Sequence, residues 1–425
     1  MKRTFILIVA LFAVGLAAPA IPAQAQTTSQ TVYLITSSGT AYTVTAITPA
    51  ENRSVTLLSV PIEGHGILPE VFPQDEIDAL ERFLVDYNER QTFFPAGPAA
   101  NMKTLSHIDS IAVSPDNRKV VVKVSYWVKL QFASTYFGTT HLILIDLDSQ
   151  EQTLLLNLGY HSTQFDQRHY IDNVADEKHV TDIEWAPNQQ AIAVGTIKGR
   201  AIESSIVVIP LNGHAPFSIG MGEDWAFTPD SDQVAILTQH GPPSDGITNT
   251  FTIVDLDLKT ERFSETSCVL ANYFISPDSG FAFYHDSILL QRVIDISVIE
   301  GGGGLAILYG CTYVKMFIPD RVFTDIQSTP DAEALVLETS TSLLVRARQS
   351  DRTRHPTKFR PIFSSPVTDW HLGSDGALLV QFIEGGPYAI FDPLGTPAAA
   401  WNATLQRQMA DLLAPDGMAL KAVDW

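Results

Sequence analysis

The segment Ile111-Ala112-Val113-Ser114-Pro115-Asp116-Asn117 decides the fold, because variants of it recur along the chain. In each copy an apolar run leads into a Ser-Pro-Asp or related turn, and most copies continue into a second apolar run. Proline presets φ for the first corner of a β-turn, and the Asp or Asn side chain accepts a backbone hydrogen bond within it. Each copy therefore predicts a tight β-hairpin.

The turn recurs at a nearly regular interval. The residues at its proline position are Pro115, Pro187, Pro229, Pro277, Pro330 and Ser374. After a first interval of 72 residues, the spacings are 42, 48, 53 and 44 residues. Four-stranded propeller blades repeat about every 40 to 50 residues. The chain is therefore predicted to be an all-β protein, a β-propeller of four-stranded blades, with seven blades favoured over six or eight.

The stretches outside the repeats supply the closure of this ring. Three alternating stretches, Thr31–Ile35, Ala41–Ile47 and Ser54–Val60, precede the first turn, and Met418–Val423 follows the last one. We expect Met418–Val423 to be the innermost strand of a seventh blade whose outer strands are the first three. Such closure leaves no unpaired strand edge between blades. Residues 26–425 are thus predicted to form one propeller domain.

Three segments depart from the blade pattern. Residues 61–106 are predicted to be a helical insertion, because four apolar side chains there share one helical face: Ile77, Leu80, Leu84 and Tyr87. Residues 158–179 lengthen the first interval and are predicted to be a long loop between blades. Residues 397–413 are predicted to be a C-terminal helix, with Thr396 as its N-cap and Pro397 as its first helical residue.

Charge and targeting features narrow the classes of function. The 425 residues carry a net charge of −20 without a basic stripe, so nucleic acid and anionic membranes are not expected as partners. Residues 1–25 have the basic, apolar and small-residue regions of a secretory signal peptide. Their apolar region is shorter than the roughly 20 residues of a spanning helix. We expect a periplasmic or secreted monomer with no membrane span after signal removal.

A family resemblance agrees with this interpretation. The Ser-Pro-Asp hairpins, together with Ile-Asp-Leu-Asp at 145–148 and Val-Asp-Leu-Asp at 254–257, resemble bacterial WD-repeat-like propellers of the TolB type. The resemblance extends from Ile108 to Pro393. It implies the propeller fold, and a role in a Tol-type system is a further implication of the likeness.

The distribution of loop lengths indicates which face binds ligands. The proline turns are short and share one face, the bottom face, whereas the long segments 61–106 and 158–179 map to the opposite, top face. Elaborated loops on a rigid scaffold are the usual location of binding. We therefore expect the top face to be the functional surface.

The 158–179 segment contains the residues that could bind a metal ion. His161, Asp166, His169 and His179 offer imidazole and carboxylate ligands of the kind that zinc or a similar divalent ion uses. Their spacing matches no tight ligand motif, so a solvated polar loop is the favoured alternative. No motif requires a cofactor, and a divalent metal is left open.

Aromatic residues of the top-face loops are candidates for partner contacts. They are Tyr136, Phe137, Phe165 and Tyr170; packing of the loops onto the blade rims is the alternative. The two cysteines, Cys268 and Cys311, form either one disulfide or two buried free thiols.

The absence of catalytic motifs favours a binding function. The sequence contains no Gly-x-Ser-x-Gly, His-Glu-x-x-His or phosphate-loop motif. The first hypothesis is therefore a non-enzymatic, exported scaffold that binds a protein or peptide through its top face. The alternatives are a metal-dependent propeller hydrolase or lyase, whose residues would come from scattered blades, and an envelope saccharide-binding module.

Overall fold

The computed structural model describes most of the chain after residue 30. The described residues are 31–65, 74, 77–78, 102–130, 136–158, 161–163, 178–198, 204–240, 248–257, 262–270, 273–275, 281–284, 287–295, 304–309, 313–318, 323–350, 353–415 and 418–425. The predicted signal peptide, residues 1–25, lies outside them. No helix within these ranges is long and apolar enough to cross a membrane.

The described residues form thirty strands. In chain order they are β1 (Val32–Ser37), β2 (Ala41–Thr48), β3 (Arg53–Pro61), β4 (Glu63–His65), β5 (Met102–Val113), β6 (Lys119–Leu130), β7 (Tyr136–Asp146), β8 (Gln152–Asn157), β9 (His161–Thr163), β10 (Lys178–Trp185), β11 (Ala191–Lys198), β12 (Ser204–Pro210), β13 (Phe217–Gly222), β14 (Asp224–Phe227), β15 (Gln233–His240), β16 (Thr248–Asp257), β17 (Arg262–Leu270), β18 (Tyr273–Ile275), β19 (Phe281–Tyr284), β20 (Ser287–Asp295), β21 (Gly304–Tyr309), β22 (Tyr313–Ile318), β23 (Phe323–Ser328), β24 (Leu335–Thr339), β25 (Leu344–Ser350), β26 (Thr353–Pro361), β27 (Asp369–Leu372), β28 (Leu378–Gln381), β29 (Tyr388–Phe391) and β30 (Ala419–Asp424).

Within the described residues these strands form seven sheets. Six sheets follow one another along the chain: sheet 1 (β4–β9), sheet 2 (β10–β13), sheet 3 (β14–β17), sheet 4 (β18–β22), sheet 5 (β23–β26) and sheet 6 (β27–β29). The closing sheet has the order β3-β2-β1-β30, so β30 is its inner strand and the first three strands are its outer ones. This is the closure expected from chain order.

Sheet 6 corrects the expectation of seven four-stranded blades. Six of the seven sheets contain four or more strands, whereas sheet 6 has three, so the described residues hold six complete blades. After β29 the chain enters the α-helix α1 (Ala399–Leu413) instead of a fourth strand. Asn402 of this helix accepts a hydrogen bond from the backbone N–H of Ile390 (2.5 Å) and donates one to its carbonyl (3.0 Å). One side chain thus replaces part of the missing strand's hydrogen bonding.

The helix α1 begins two residues later than the sequence predicts. Asp392 accepts a hydrogen bond from the backbone N–H of Thr396 (2.8 Å), and Pro397 forms an isolated bridge with Phe391. Both residues are therefore part of the turn after β29, and the N-cap position falls on Ala398. The helix packs its buried Leu405 and Met409 against the closing sheet and sheet 6.

The bottom-face turns explain why the recurring segment forms hairpins. Ser114 donates through its hydroxyl to Asp116 (2.6 Å) and accepts from the backbone N–H of Lys119 (2.9 Å). The residue after the Asp or Asn position adopts positive φ in four turns, at Asn117, Gln189, Ser231 and Ala332. Neighbouring turns also bind each other, since the N–H of Asn188 donates to Ser231 Oγ (2.9 Å). The predicted hairpins are confirmed at these four turns.

Sheet 4 differs from the hairpin expected around Pro277. Strands β18 and β19, which flank that turn, do not pair with each other; both pair with β20. The turn residues 276–280 lie outside the described residues.

The predicted helical insertion agrees with the residues described there. Gln74, Ile77 and Asp78 are helical, and Gln74 Nε2 donates to Asp78 Oδ1 (2.8 Å) one helical turn away. Ile77 is buried in the core shared by the closing sheet and sheet 1. The range 61–106 also contains β4 and the start of β5.

Candidate functional site

A central channel is the cavity that the sheets build together. It has a volume of about 760 Å³ and is lined by β5, β10, β14, β19, β23, β27 and β30, one strand from each sheet. The hairpin turns after β5, β10, β14, β23 and β27 line its bottom end. The beginnings of these five strands lie toward the top end, where their side chains define the chemistry of the site.

Aspartate occurs at one equivalent position in four of these strands. The four residues stand five positions before the proline position of their turn: Asp182, Asp224, Asp325 and Asp369. Asp109 stands six positions before Pro115, and a register shift between Ile108 and Ser110 accommodates the extra residue. We call these five residues the acidic ring.

Four of the five side chains of the acidic ring accept hydrogen bonds from backbone N–H groups. Asp182, Asp325 and Asp369 accept hydrogen bonds from the N–H of the following residue, at 2.8, 2.8 and 2.9 Å. Asp224 accepts from the N–H of Phe281 of sheet 4 at 3.1 Å and also from the N–H of Trp225, the following residue. These bonds have a structural role, because they hold the beginnings of the inner strands.

A second layer lies two residues further along the strands. Glu184, Gln327 and His371 occupy this position in sheets 2, 5 and 6. Gln327 is fully engaged, since it donates to Asp325 Oδ2 (2.9 Å) and accepts from the N–H of Leu372 (3.2 Å). Glu184 is partly buried beside Asp182 and Asp224.

The electrostatics of the channel are dominated by carboxylates. Among the lining residues that the structure describes, eight are acidic and His371 alone is basic. Burial, reinforced by the charges of Asp182 and Asp224, raises the pKa of Glu184 to about 8. Burial and the charge of Asp182 raise the pKa of Asp224 to about 7, although backbone N–H groups oppose the shift. A cation that entered would relieve this repulsion.

The basic groups near the channel are already paired. Lys123 Nζ lies 3.6 Å from Asp109 Oδ2. His371 lies with Nε2 3.6 Å from Asp369 Oδ2 and with Nδ1 3.8 Å from Asp424 Oδ1. Contact with His371 lowers the pKa of Asp369 to about 2, and a hydrogen bond from the Tyr388 hydroxyl acts in the same direction.

The metal-ligand candidates are separated by the structure. His161 lies in β9 opposite Gly138, and His179 lies in β10 opposite Ile197, in different sheets. Asp166 and His169 lie outside the described residues. The predicted 158–179 loop contains β9 and the start of β10, and residues 164–177 of it lie outside the described residues. Within the described part of the chain, no three His, Cys, Asp or Glu side chains have the arrangement of a metal site.

The partner and disulfide candidates fall on strands or outside the described ranges. Tyr136 and Phe137 begin β7, where they pair with Thr163 and Ser162. Phe165 and Tyr170 lie outside. Cys268 lies in β17 opposite Phe251, and Cys311 lies outside, so their pairing stays a prediction.

Sequence reasoning missed the acidic ring although a signal for it is present. The aspartate five positions before the turn is visible once the turns are aligned, as in Asp-Trp at 224–225 and 369–370. A single aspartate at a strand end is ordinary in sequence, however. Its significance arises only when the strands converge on one channel.

Comparisons with known proteins give distant similarities. No protein-family model matches the sequence, and no curated protein matches it. The β-propeller domain of the Trilobed protease from Pyrococcus furiosus is 13% identical, with a TM-score of 0.43 over 67% of this chain and 82% of that chain. An oligogalacturonate lyase in complex with manganese is 12% identical, with a TM-score of 0.42 over 70% of this chain and 79% of that chain.

The C-terminal WD40 domain of Sif2 is 11% identical, with a TM-score of 0.41 over 92% of this chain and 83% of that chain. No family model and no curated sequence match supports the finer TolB-type assignment. The strand order of its own sheets, rather than these similarities, identifies the chain as a β-propeller.

Proposed function

We propose that the protein is an exported, non-enzymatic β-propeller scaffold that binds a protein or peptide partner through its top face. In this proposal it acts as a periplasmic or secreted monomer, in an envelope role of the kind that the TolB-type likeness implies. The observation that supports it is the acidic ring, which lies at the end of the channel opposite the tight bottom turns.

The acidic ring and Glu184 of the layer below it indicate the class of partner by their chemistry. Asp182 and Glu184 have no basic side chain bound to them in the described residues, and Asp224 is bound by a backbone N–H. A lysine or arginine side chain presents several N–H donors and a positive charge, which matches a set of carboxylates with raised pKa values. We therefore propose that the partner inserts a basic side chain into the top end of the channel.

The experiment compares oligolysine and oligoglutamate peptides of equal length, with affinity measured by isothermal titration calorimetry. The double variant Asp182→Asn/Glu184→Gln is expected to weaken oligolysine binding about tenfold or more, because it removes two carboxyl groups that can ionise beside a bound cation. Glu151→Gln, which removes an exposed charge far from the channel, is the matched control. Equal affinity for both peptides, or equal losses in both variants, would contradict the proposal.

One observation favours a second candidate, a propeller hydrolase or lyase acting on saccharides. A carboxylic acid with a pKa of about 8 beside carboxylates of lower pKa resembles the acid and base pair of glycosidases. Turnover of an acidic or neutral polysaccharide that Glu184→Gln abolishes, with folding retained, would establish this function over the scaffold.

A further inference from the structure

Strand β30 has the fewest buried residues of the four strands in the closing sheet. It pairs with β1 on one side only, with a register shift between Ile35 and Thr36. All six residues of β1 are buried, whereas in β30 Val423 alone is buried. An inner strand with little burial and one partner is the kind of element that opens locally before the rest of a fold.

A charged contact joins β30 to the neighbouring sheet 6. His371 of β27 lies between Asp369 of its own strand and Asp424 of β30, at 3.6 and 3.8 Å. The charge of Asp325 on β23 also acts on the imidazole. The carboxylates of three different sheets thus face one histidine, the only basic residue among the described channel lining.

We propose that the protonated His371 imidazole is a pH-sensitive latch that holds strand β30 in the closed ring. When the imidazole loses its proton, Asp424 faces Asp369 and Asp325 without a counter-charge. Like charges in a partly enclosed channel repel, and β1 is the only strand that pairs with β30 in the described residues. The latch therefore releases on the alkaline side, and this inference is independent of any partner.

The titration behaviour of the three groups defines the working range. Burial lowers the pKa of His371, but the contact with Asp369 and the charges of Asp424 and Asp325 outweigh it, so the pKa is raised above its usual value. The stabilisation that the protonated imidazole provides is fully present below about pH 6.5, and it is lost as pH rises through the raised pKa of His371. Burial raises the pKa of Asp424, which acts in the same direction. The lowered pKa of Asp369 acts oppositely, only toward pH 2.

Hydrogen–deuterium exchange of the free protein tests the latch. Between about pH 5.5 and 8.5, protection of β30 amides, corrected for chemical exchange, is expected to fall about tenfold or more, while that of β11 stays within about threefold. His371→Gln is expected to lower β30 protection near pH 5.5 to about the level of the unmodified protein near pH 8.5, and to change it little at the higher pH. Asp424→Asn removes the carboxylate that the imidazole balances, so it is expected to remove the pH dependence of β30 protection.

Each result decides the proposal. Strand β11 reports whether a variant is folded, so a selective change in β30 can be separated from general unfolding. A parallel loss of protection in β11 and β30 of the unmodified protein would overturn the latch. A pH response of β30 that His371→Gln leaves unchanged would do the same.

Discussion

Replacing Glu184 with glutamine is expected to stabilise the protein, and to do so only at high pH. Glu184 lies in β10, partly buried, with Asp182 and Asp224 beside it. Glutamine has the shape of the protonated glutamic acid but cannot ionise. The substitution therefore removes a charge that the folded channel disfavours and leaves the packing intact.

The magnitude follows from the difference in pKa between the two states. The carboxyl group ionises near 4.5 in the unfolded chain and near 8 in the folded one, so stability is present at low pH and lost as pH rises through this window. At about 1.4 kcal/mol for each pKa unit, the upper limit is about 5 kcal/mol. Because the side chain still contacts channel solvent, which screens its charge, we expect about 1 to 3 kcal/mol at pH 8.

Urea unfolding followed by tryptophan fluorescence at several pH values measures the effect. Near pH 4 the variant and the unmodified protein should differ by no more than about 0.5 kcal/mol, since both carry a neutral group at this position. Glu151→Gln, at an exposed turn before β8, should show no comparable pH dependence. A Glu184→Gln effect that is constant with pH, or destabilising at pH 8, would refute the electrostatic argument.

Two further substitutions test how the sheets are held together. Asn402→Ala should lower the free energy of unfolding, measured in urea, by about 1 to 3 kcal/mol, because it leaves the buried N–H of Ile390 without an acceptor. Gln406→Ala, on the exposed face of α1, is the control and should have little effect. Trp185→Phe should lower the free energy of unfolding by about 1 kcal/mol more than Trp225→Phe does. The reason is that Trp185 Nε1 donates to the carbonyl oxygen of Ala112 in sheet 1 (3.0 Å), whereas Trp225 Nε1 has no hydrogen-bond partner among the described residues. Equal losses for the two tryptophans would show that the bond between sheets contributes nothing.

The parts of the fold that could be predicted are those determined by local chemistry. The Ser114-Pro115-Asp116 turn contains within itself the bonds that shape it, so its repetition revealed the hairpins and their order. Closure by β30 followed from the chain order of the strands. The three-stranded sheet 6 could not be predicted, because it depends on the distant contact between Asn402 and Ile390.

The candidate site, unlike the turns, depends on residues that are distant in sequence and that the fold brings together. His161 and His179 are close in sequence and drew attention as metal ligands, yet the fold places them in separate sheets. Asp182, Asp224 and Glu184 lie on two inner strands that the ring brings together. Proximity in sequence is a poor guide to a site built from several sheets, whereas the position relative to the turn is a good one.

One carboxyl group of the channel lowers the stability of the folded state without a structural role that requires it. The strand-end hydrogen bonds explain Asp182, Asp325 and Asp369, because an aspartate there binds the following N–H. Glu184 makes no such bond, and its raised pKa means that its ionised form destabilises the folded state at neutral and higher pH. A residue that lowers stability where a neutral one would fit is typical of functional sites. Glu184 is therefore the residue at which structural and functional explanations separate, and its substitution discriminates between them most directly.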